Sequence, residues 1–149
     1  MEISPEMMKE MVETKVAFLE RMGLKALEMQ PRHVKLMAPL KGNESHIGTV
    51  YAGALFTLAE VPGGALFLTS FDISKYYPIV KEVTIRFVRL AKTDVTVELG
   101  MSQEEVNRIQ AEADDKGKAD FTLECEVKDT SGEVVAVSKG LYQIRVIGA

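Results

Sequence analysis

Between Ser45 and Phe71 the chain runs for 27 residues with one formally charged side chain, Glu60, near the middle. A stretch of that length is long enough to cross a bilayer, but a carboxylate at the centre of a spanning helix costs roughly 2.5–3.5 kcal/mol. Pro62, Gly63 and Gly64 follow it after Val61. The other solution is a helix that is apolar on every side because other structure surrounds it. The sequence therefore predicts a central helix over about residues 52–69, no membrane partner, and a Glu60 buried with the helix.

The flanking segments carry a different period. Val83, Ile85 and Phe87 alternate with Glu82, Thr84 and Arg86, and Val95, Val97, Leu99 and Met101 repeat the pattern. Phe121, Leu123, Cys125 and Val127 alternate with Thr122, Glu124, Glu126 and Lys128. Period two marks half-buried strands, and Asp129-Thr-Ser-Gly132 turns the third into a fourth. Upstream, Ser4-Pro5 opens an amphipathic helix expected to reach about Arg21, with Met8, Met11, Val12 and Leu19 on one side. One or two strands broken at Pro31 fill residues 22–40, and the charged stretch 102–118 is expected as a surface helix or a long hairpin connection. Helix, strand, long buried helix and then four strands make an α+β plan in which an antiparallel sheet wraps around one helix.

The chain holds 149 residues with no internal repeat or linker, so a single domain, 1–149, is expected. Eighteen Lys and Arg against 22 Asp and Glu leave a net charge of −4, which argues against nucleic acid as the main partner. Cys125 is the single cysteine and is expected as core packing, with no disulfide and no thiolate cluster for zinc. His33 and His46 have no ligand-spaced acid or cysteine, so no metal site is expected, and no cofactor either. The segment MEISPEMMKEMVE has no apolar core of a secretory signal, and the reducing cytoplasm is the expected compartment.

A carboxylate in so apolar a stretch is expensive to ionise. Its pKa is expected to rise unless another segment supplies a partner, which suits a general base. Phe56, Thr57, Gly63 and Gly64 are the helical neighbours of Glu60 and Gly53 lies two turns earlier, so small residues leave room for a substrate or a second backbone. The opposing reading is a structural Glu60 bonded to backbone or paired with Arg86 or Arg89.

At the helix start the first N–H groups lack intrahelical partners and carry the positive end of the dipole. Ala52 and Gly53 leave space there for a carbonyl oxygen. Tyr51 is either a hydrogen-bond donor to substrate or a buried packing residue. Ala52 and Glu60 stand eight residues apart, about 12 Å along a helix at ~1.5 Å per residue, too far to serve one carbonyl. Two chains with antiparallel central helices remove the difficulty, so a homodimer with two composite sites is expected, with a homotetramer left open.

Gly48-Thr49-Val50-Tyr51-Ala52-Gly53, Glu60 nine residues after Tyr51, Phe87-Val-Arg89-Leu-Ala91, Asp129-Thr-Ser-Gly132 and Gly140-Leu-Tyr142 follow one another in that order. The set, carried by residues 22–146, resembles the hotdog-fold acyl-CoA thioesterases, in the branch related to phenylacetate-pathway thioesterases and to domains of unknown function near them. In that branch Gly-Thr-x-His-Gly-Gly opens the central helix and an acid lies nine residues after the His. Here Tyr51 and Ala52 replace the His and the first Gly of that pair, and Ser45 stands where many members carry an Asn that helps hold the substrate carbonyl. Asn43 lies two residues before it.

The resemblance implies hydrolysis of an acyl-CoA or related thioester, with Glu60 as base or nucleophile and Ala52, Ser45 and Tyr51 at the reacting group. Asn43, Gly53, Thr57, Gly64, Arg86 and Arg89 would contact substrate. Lys81, Arg86, Arg89 and Lys92 form a local basic cluster that suits the phosphates of CoA or, equally, a solvated sheet face. The motif departures support a second reading, a noncatalytic acyl-CoA or fatty-acyl binder. A dehydratase of the same fold is disfavoured because no His stands near Glu60 in the motif.

Overall fold

Alternating apolar residues build one antiparallel sheet of six strands in the computed structural model, which describes residues 2–149. The strands are β1 Lys25–Gln30, β2 His33–Ala38, β3 Tyr76–Phe87, β4 Val95–Gly100, β5 Lys118–Asp129 and β6 Val134–Val146, ordered β1-β2-β4-β5-β6-β3. The helices are α1 Pro5–Thr14, α2 Ala17–Met22, α3 Ala52–Glu60, α4 Pro62–Ser70 and α5 Gln103–Lys116. Val34, Leu36, Val95, Val97, Phe121, Leu123, Cys125 and Val127 all face inward, as their period requires.

α3 and α4 run on through Val61 as a rod, Ala52–Ser70, long and apolar enough to cross a membrane by length and composition. Here it fills the sheet instead. Leu55, Leu58, Ala59 and Leu66 join the strand residues in one core, and each large aliphatic side chain so buried contributes about 1.5–3 kcal/mol. The architecture is that of a hotdog fold, a sheet wrapped around a long central helix.

The rod is broken at Pro62, which has no N–H to give to the carbonyl of Leu58. Gly64 and Ala65 both donate to the carbonyl of Val61, at 3.0 and 3.1 Å, so the carbonyl of Glu60 loses its helical donor. The sheet repairs the gap. The Tyr142 hydroxyl of β6 donates to the Glu60 carbonyl at 3.0 Å, and the Cys125 thiol of β5 donates to the Ala59 carbonyl at 3.7 Å. Gly63 admits the Tyr142 ring: a Cβ there would lie 2.1 Å from a ring carbon.

Three expectations need correction, whereas the strands broken at Pro31 are present as β1 and β2. The N-terminal helix does not reach Arg21 unbroken: α1 ends at Thr14, whose hydroxyl turns back to the Glu10 carbonyl at 2.7 Å. The β-branched Val16 is extended, and α2 begins after it. The charged stretch is helix α5, capped by the Ser102 hydroxyl on the Glu105 N–H at 3.0 Å and ended by Gly117 at φ 85°, so it divides the expected run of four strands. Phe87 is 48% exposed and Val83 and Ile85 are only half-buried, because β3 is an edge strand with a bulge between Val80 and Glu82.

Gly63→Ala should therefore cost about 1–3 kcal/mol of stability in urea unfolding, despite alanine's better helix propensity, because the methyl group collides with Tyr142.

Candidate active site

Glu60 closes α3 and is half-buried, not fully buried as the sequence suggested. It sits in a groove of about 540 Å³ lined mainly by Val16, Phe18, Phe56, Thr57, Val80 and Val83, with Lys81 and Glu82 also at its border. Burial holds its carboxyl above the usual carboxylate range. No side chain among the described residues bonds or pairs with that carboxylate. The guanidinium of Arg89 goes to the Val134 carbonyl at 3.3 Å and the Glu133 carboxylate at 3.6 Å. Arg86 shares the outer face of the sheet with Val137 and Glu126, cross-strand on β6 and β5, so neither arginine neutralises Glu60.

The start of α3 lies in a second groove, of about 400 Å³, bordered by Ser45, Tyr51, Ala52, Leu55, Phe87 and Arg89 among others. No side chain caps this helix. Ala54 and Leu55 donate to the Tyr51 carbonyl at 2.9 and 3.1 Å, leaving the N–H groups of Ala52 and Gly53 without a protein partner among the described residues. An N-terminus of this kind attracts negative charge. The loop before it is fixed by main-chain bonds from Tyr51 to the Asn43 carbonyl and from Val50 to the Ala91 carbonyl, both 2.8 Å.

The remaining residues fall into three groups. Tyr51 is 60% exposed and thus not a buried packing residue; its ring lies over Gly53, where a Cβ would meet it at 2.5 Å. The space beside Gly53 is therefore taken by this chain's own aromatic ring. Ser45 lines the Ala52 groove, but its hydroxyl is engaged with the Thr49 hydroxyl at 3.1 Å and the Ile47 N–H at 3.3 Å.

Asn43 is a clamp: both amide hydrogen bonds go to main chain, at 2.8 Å to Met22 and 2.8 Å to Pro39, so it has no donor left for a substrate. Thr57 borders the Glu60 groove and returns its hydroxyl to the Gly53 carbonyl at 2.7 Å. The room expected beside Gly63 is filled by Tyr142, whereas Gly64 faces open space. The basic cluster is dispersed: Arg86 lines an outer-face groove with Glu124 and Glu126, Lys81 pairs with Asp120 at 3.2 Å, and Arg89 alone of the two arginines borders the Ala52 groove.

Glu60 and Ala52 share no groove, but both grooves border β3, one near Val80–Val83 and the other near Phe87. A family model described as a domain of unknown function, DUF4442, matches residues 4–144. The chain belongs to this DUF4442 family. A solved relative from Pseudomonas aeruginosa, a protein of unknown function named a probable thioesterase, is 51% identical over 98% of both chains, with a TM-score of 0.93. The same fold is found at 18% identity in a protein of unknown function from Chlorobaculum tepidum, TM-score 0.82, covering 94% of this chain and 93% of that one. It recurs at 9% identity in a thioesterase from Haemophilus influenzae, TM-score 0.76, covering 100% of this chain and 95% of the other. No curated protein matches the chain.

For this DUF4442 member, sequence reasoning missed two residues that bear on Glu60. Tyr142 and Cys125 hold the carbonyls of Glu60 and Ala59, and the only signal of it was the pair of glycines, Gly63 and Gly140, that flank the Tyr142 ring. Burial pushes the phenol and the thiol above their ordinary values, which keeps both as neutral donors. Sequence spacing also hid the surroundings of His33, which lies beside Glu98 and Glu28.

A carboxyl whose folded pKa is raised binds its proton more tightly in the folded than in the unfolded chain. Folding stability therefore falls as pH rises from the ordinary Glu value through the raised one. Glu60→Gln should remove this loss: its Tm should match the parent below pH 4 and exceed it at pH 7, read by calorimetry across that range.

Proposed function

We propose that the chain is an acyl-CoA thioesterase acting as a homodimer, with each site built from Glu60 of one copy and the α3 start of the other. The carrying observation is the layout of β3. It is a 12-residue edge strand with one side of its ladder unpaired, and the Glu60 and Ala52 grooves border different parts of it. A second copy paired antiparallel about Thr84, past the middle of that strand, brings the Val80–Val83 part of one β3 against the part of the other that ends at Phe87. The two grooves then merge across the interface.

In that arrangement the reacting carbonyl accepts from the Ala52 N–H, and the dipole of α3 stabilises the charge that develops on its oxygen. Glu60, held above its usual pKa and without a counter-ion, either draws a proton from water or attacks the carbonyl carbon. Val16, Phe18, Phe56 and Val80 give the acyl part of the substrate an apolar wall. Arg89, in the Ala52 groove, is the cation we assign to the CoA phosphates. The cytoplasm is the compartment we assign, in keeping with the one free cysteine, Cys125. The departures at Tyr51 and Ala52 keep the acyl-CoA binder as the second reading.

Turnover of an acyl-CoA panel followed by thiol release separates the two readings. On the hydrolase reading Glu60→Gln lowers kcat about 10²–10⁴-fold without unfolding the chain; a binder turns over nothing in either form.

The shared site has its own test. Ala52 is the first residue of α3 and Tyr51 before it is extended at ψ 140°, so Ala52→Pro removes one N–H while suiting the helix start. It should lower kcat about 10²–10³-fold. Co-refolding the Ala52→Pro and Glu60→Gln chains should restore about a quarter of parental sites, since each mixed dimer carries one intact pair. No recovery, or light scattering that finds only 16.5 kDa species, rejects the shared site.

A further inference from the structure

Near the sheet edge opposite β3, Glu28 of β1, His33 of β2 and Glu98 of β4 converge on the outer face. The His33 Nε2 lies 2.8 Å from a Glu98 carboxylate oxygen and 3.6 Å from one of Glu28, and one ligand atom from each side chain lies within 4.8 Å of the other two. A single ring nitrogen thus faces two carboxylates. As an N–H it satisfies one of them and leaves the other unneutralised. Lys35 stands cross-strand from both Glu28 and Glu98 but forms no ion pair with either.

The backbone presets this convergence. Arg32, at φ 58°, turns the chain from β1 into β2, and its carbonyl accepts the Met101 N–H at 3.0 Å, tying the hairpin end to the end of β4. Gly100 pairs with His33; a Cβ there would lie 2.8 Å from the Arg32 carbonyl oxygen and 3.5 Å from His33 Nδ1. Glycine at this position lets the Arg32 carbonyl close on β4 and so holds the start of β2, with His33, against that strand. The side chains are 37–48% exposed, so an ion and its waters have access.

We propose that Glu28, His33 and Glu98 form a site for a divalent cation of the zinc class, which takes imidazole nitrogen together with carboxylate oxygens. With ligand bonds of about 2.0–2.2 Å, tetrahedral donors stand roughly 3.3–3.6 Å apart, within the range of separations already present. The imidazole with its proton on Nδ1 offers the Nε2 lone pair, and water fills the open position. The ion ties β1 and β2, at the sheet edge, to β4. It lies across the sheet from β3, so it does not depend on the hydrolase reading.

The full untagged chain, stripped with EDTA and exchanged into chelator-free buffer, is titrated with ZnCl₂, and with MgCl₂ and CaCl₂ in parallel, by calorimetry and thermal unfolding. One Zn²⁺ per chain and a Tm rise of roughly 3–8 °C are expected, with little response to the harder cations. His33→Gln and Glu98→Gln should each weaken Zn²⁺ binding at least about tenfold and remove the Tm rise, while keeping the parental circular dichroism. His46→Gln should leave both intact. Zero Zn²⁺ uptake by the parent, equal responses to Mg²⁺ or Ca²⁺, or an undiminished Tm rise in the His33 and Glu98 variants overturns the site.

Discussion

Pro62 breaks the central helix, and that break shapes the centre of the molecule. The helix interrupts its ladder just after Glu60, in a core where an orphaned carbonyl would be expensive. Tyr142 and Cys125 supply the missing donors from two neighbouring strands, and Gly63 and Gly140 leave room for the ring that does so. Phe121 stacks on that ring at 5.6 Å. The bond that repairs the helix is also the bond that fixes the main chain of Glu60 relative to the sheet.

That fixation leaves the carboxylate itself free. Its walls are mostly apolar, its pKa is raised by burial, Lys81 at the groove is paired with Asp120, and the arginines that could have quenched it are engaged with Val134 and Glu133 or turned to the other face. The helix start is left open in the complementary sense, with N–H groups and no cap. Among the described residues, an acid that no side chain neutralises and donors without an acceptor, at two ends of one short helix, are separately unfavourable; the proposed dimer would set them on either side of one carbonyl.

Much of the fold was legible because period-two alternation and an all-apolar helix are local properties. The inward faces of β4 and β5 follow from that alternation alone. β3 was misjudged at Phe87 because alternation reports which residues share a face, not whether the strand lies at the centre or the edge of its sheet. The break after Thr14 was missed because an amphipathic pattern continues across a residue that leaves the helix.

The sequence by itself determined that one acid would sit in an apolar helix and that its environment would oppose ionisation, since both depend on composition within a single apolar stretch. Tertiary structure decided which side chains reach that acid and which do not. Tyr142 is 82 residues from Glu60 and bonds to it; Arg86 is 26 residues away and faces outward; Asn43 spends its amide on Met22 and Pro39. Likewise His33 and Glu98 are 65 residues apart and meet only because β2 and β4 are neighbours. Hydrogen bonds and ion pairs act over a few ångströms, and strand order, which sets those distances, is fixed by how the whole sheet closes around its helix.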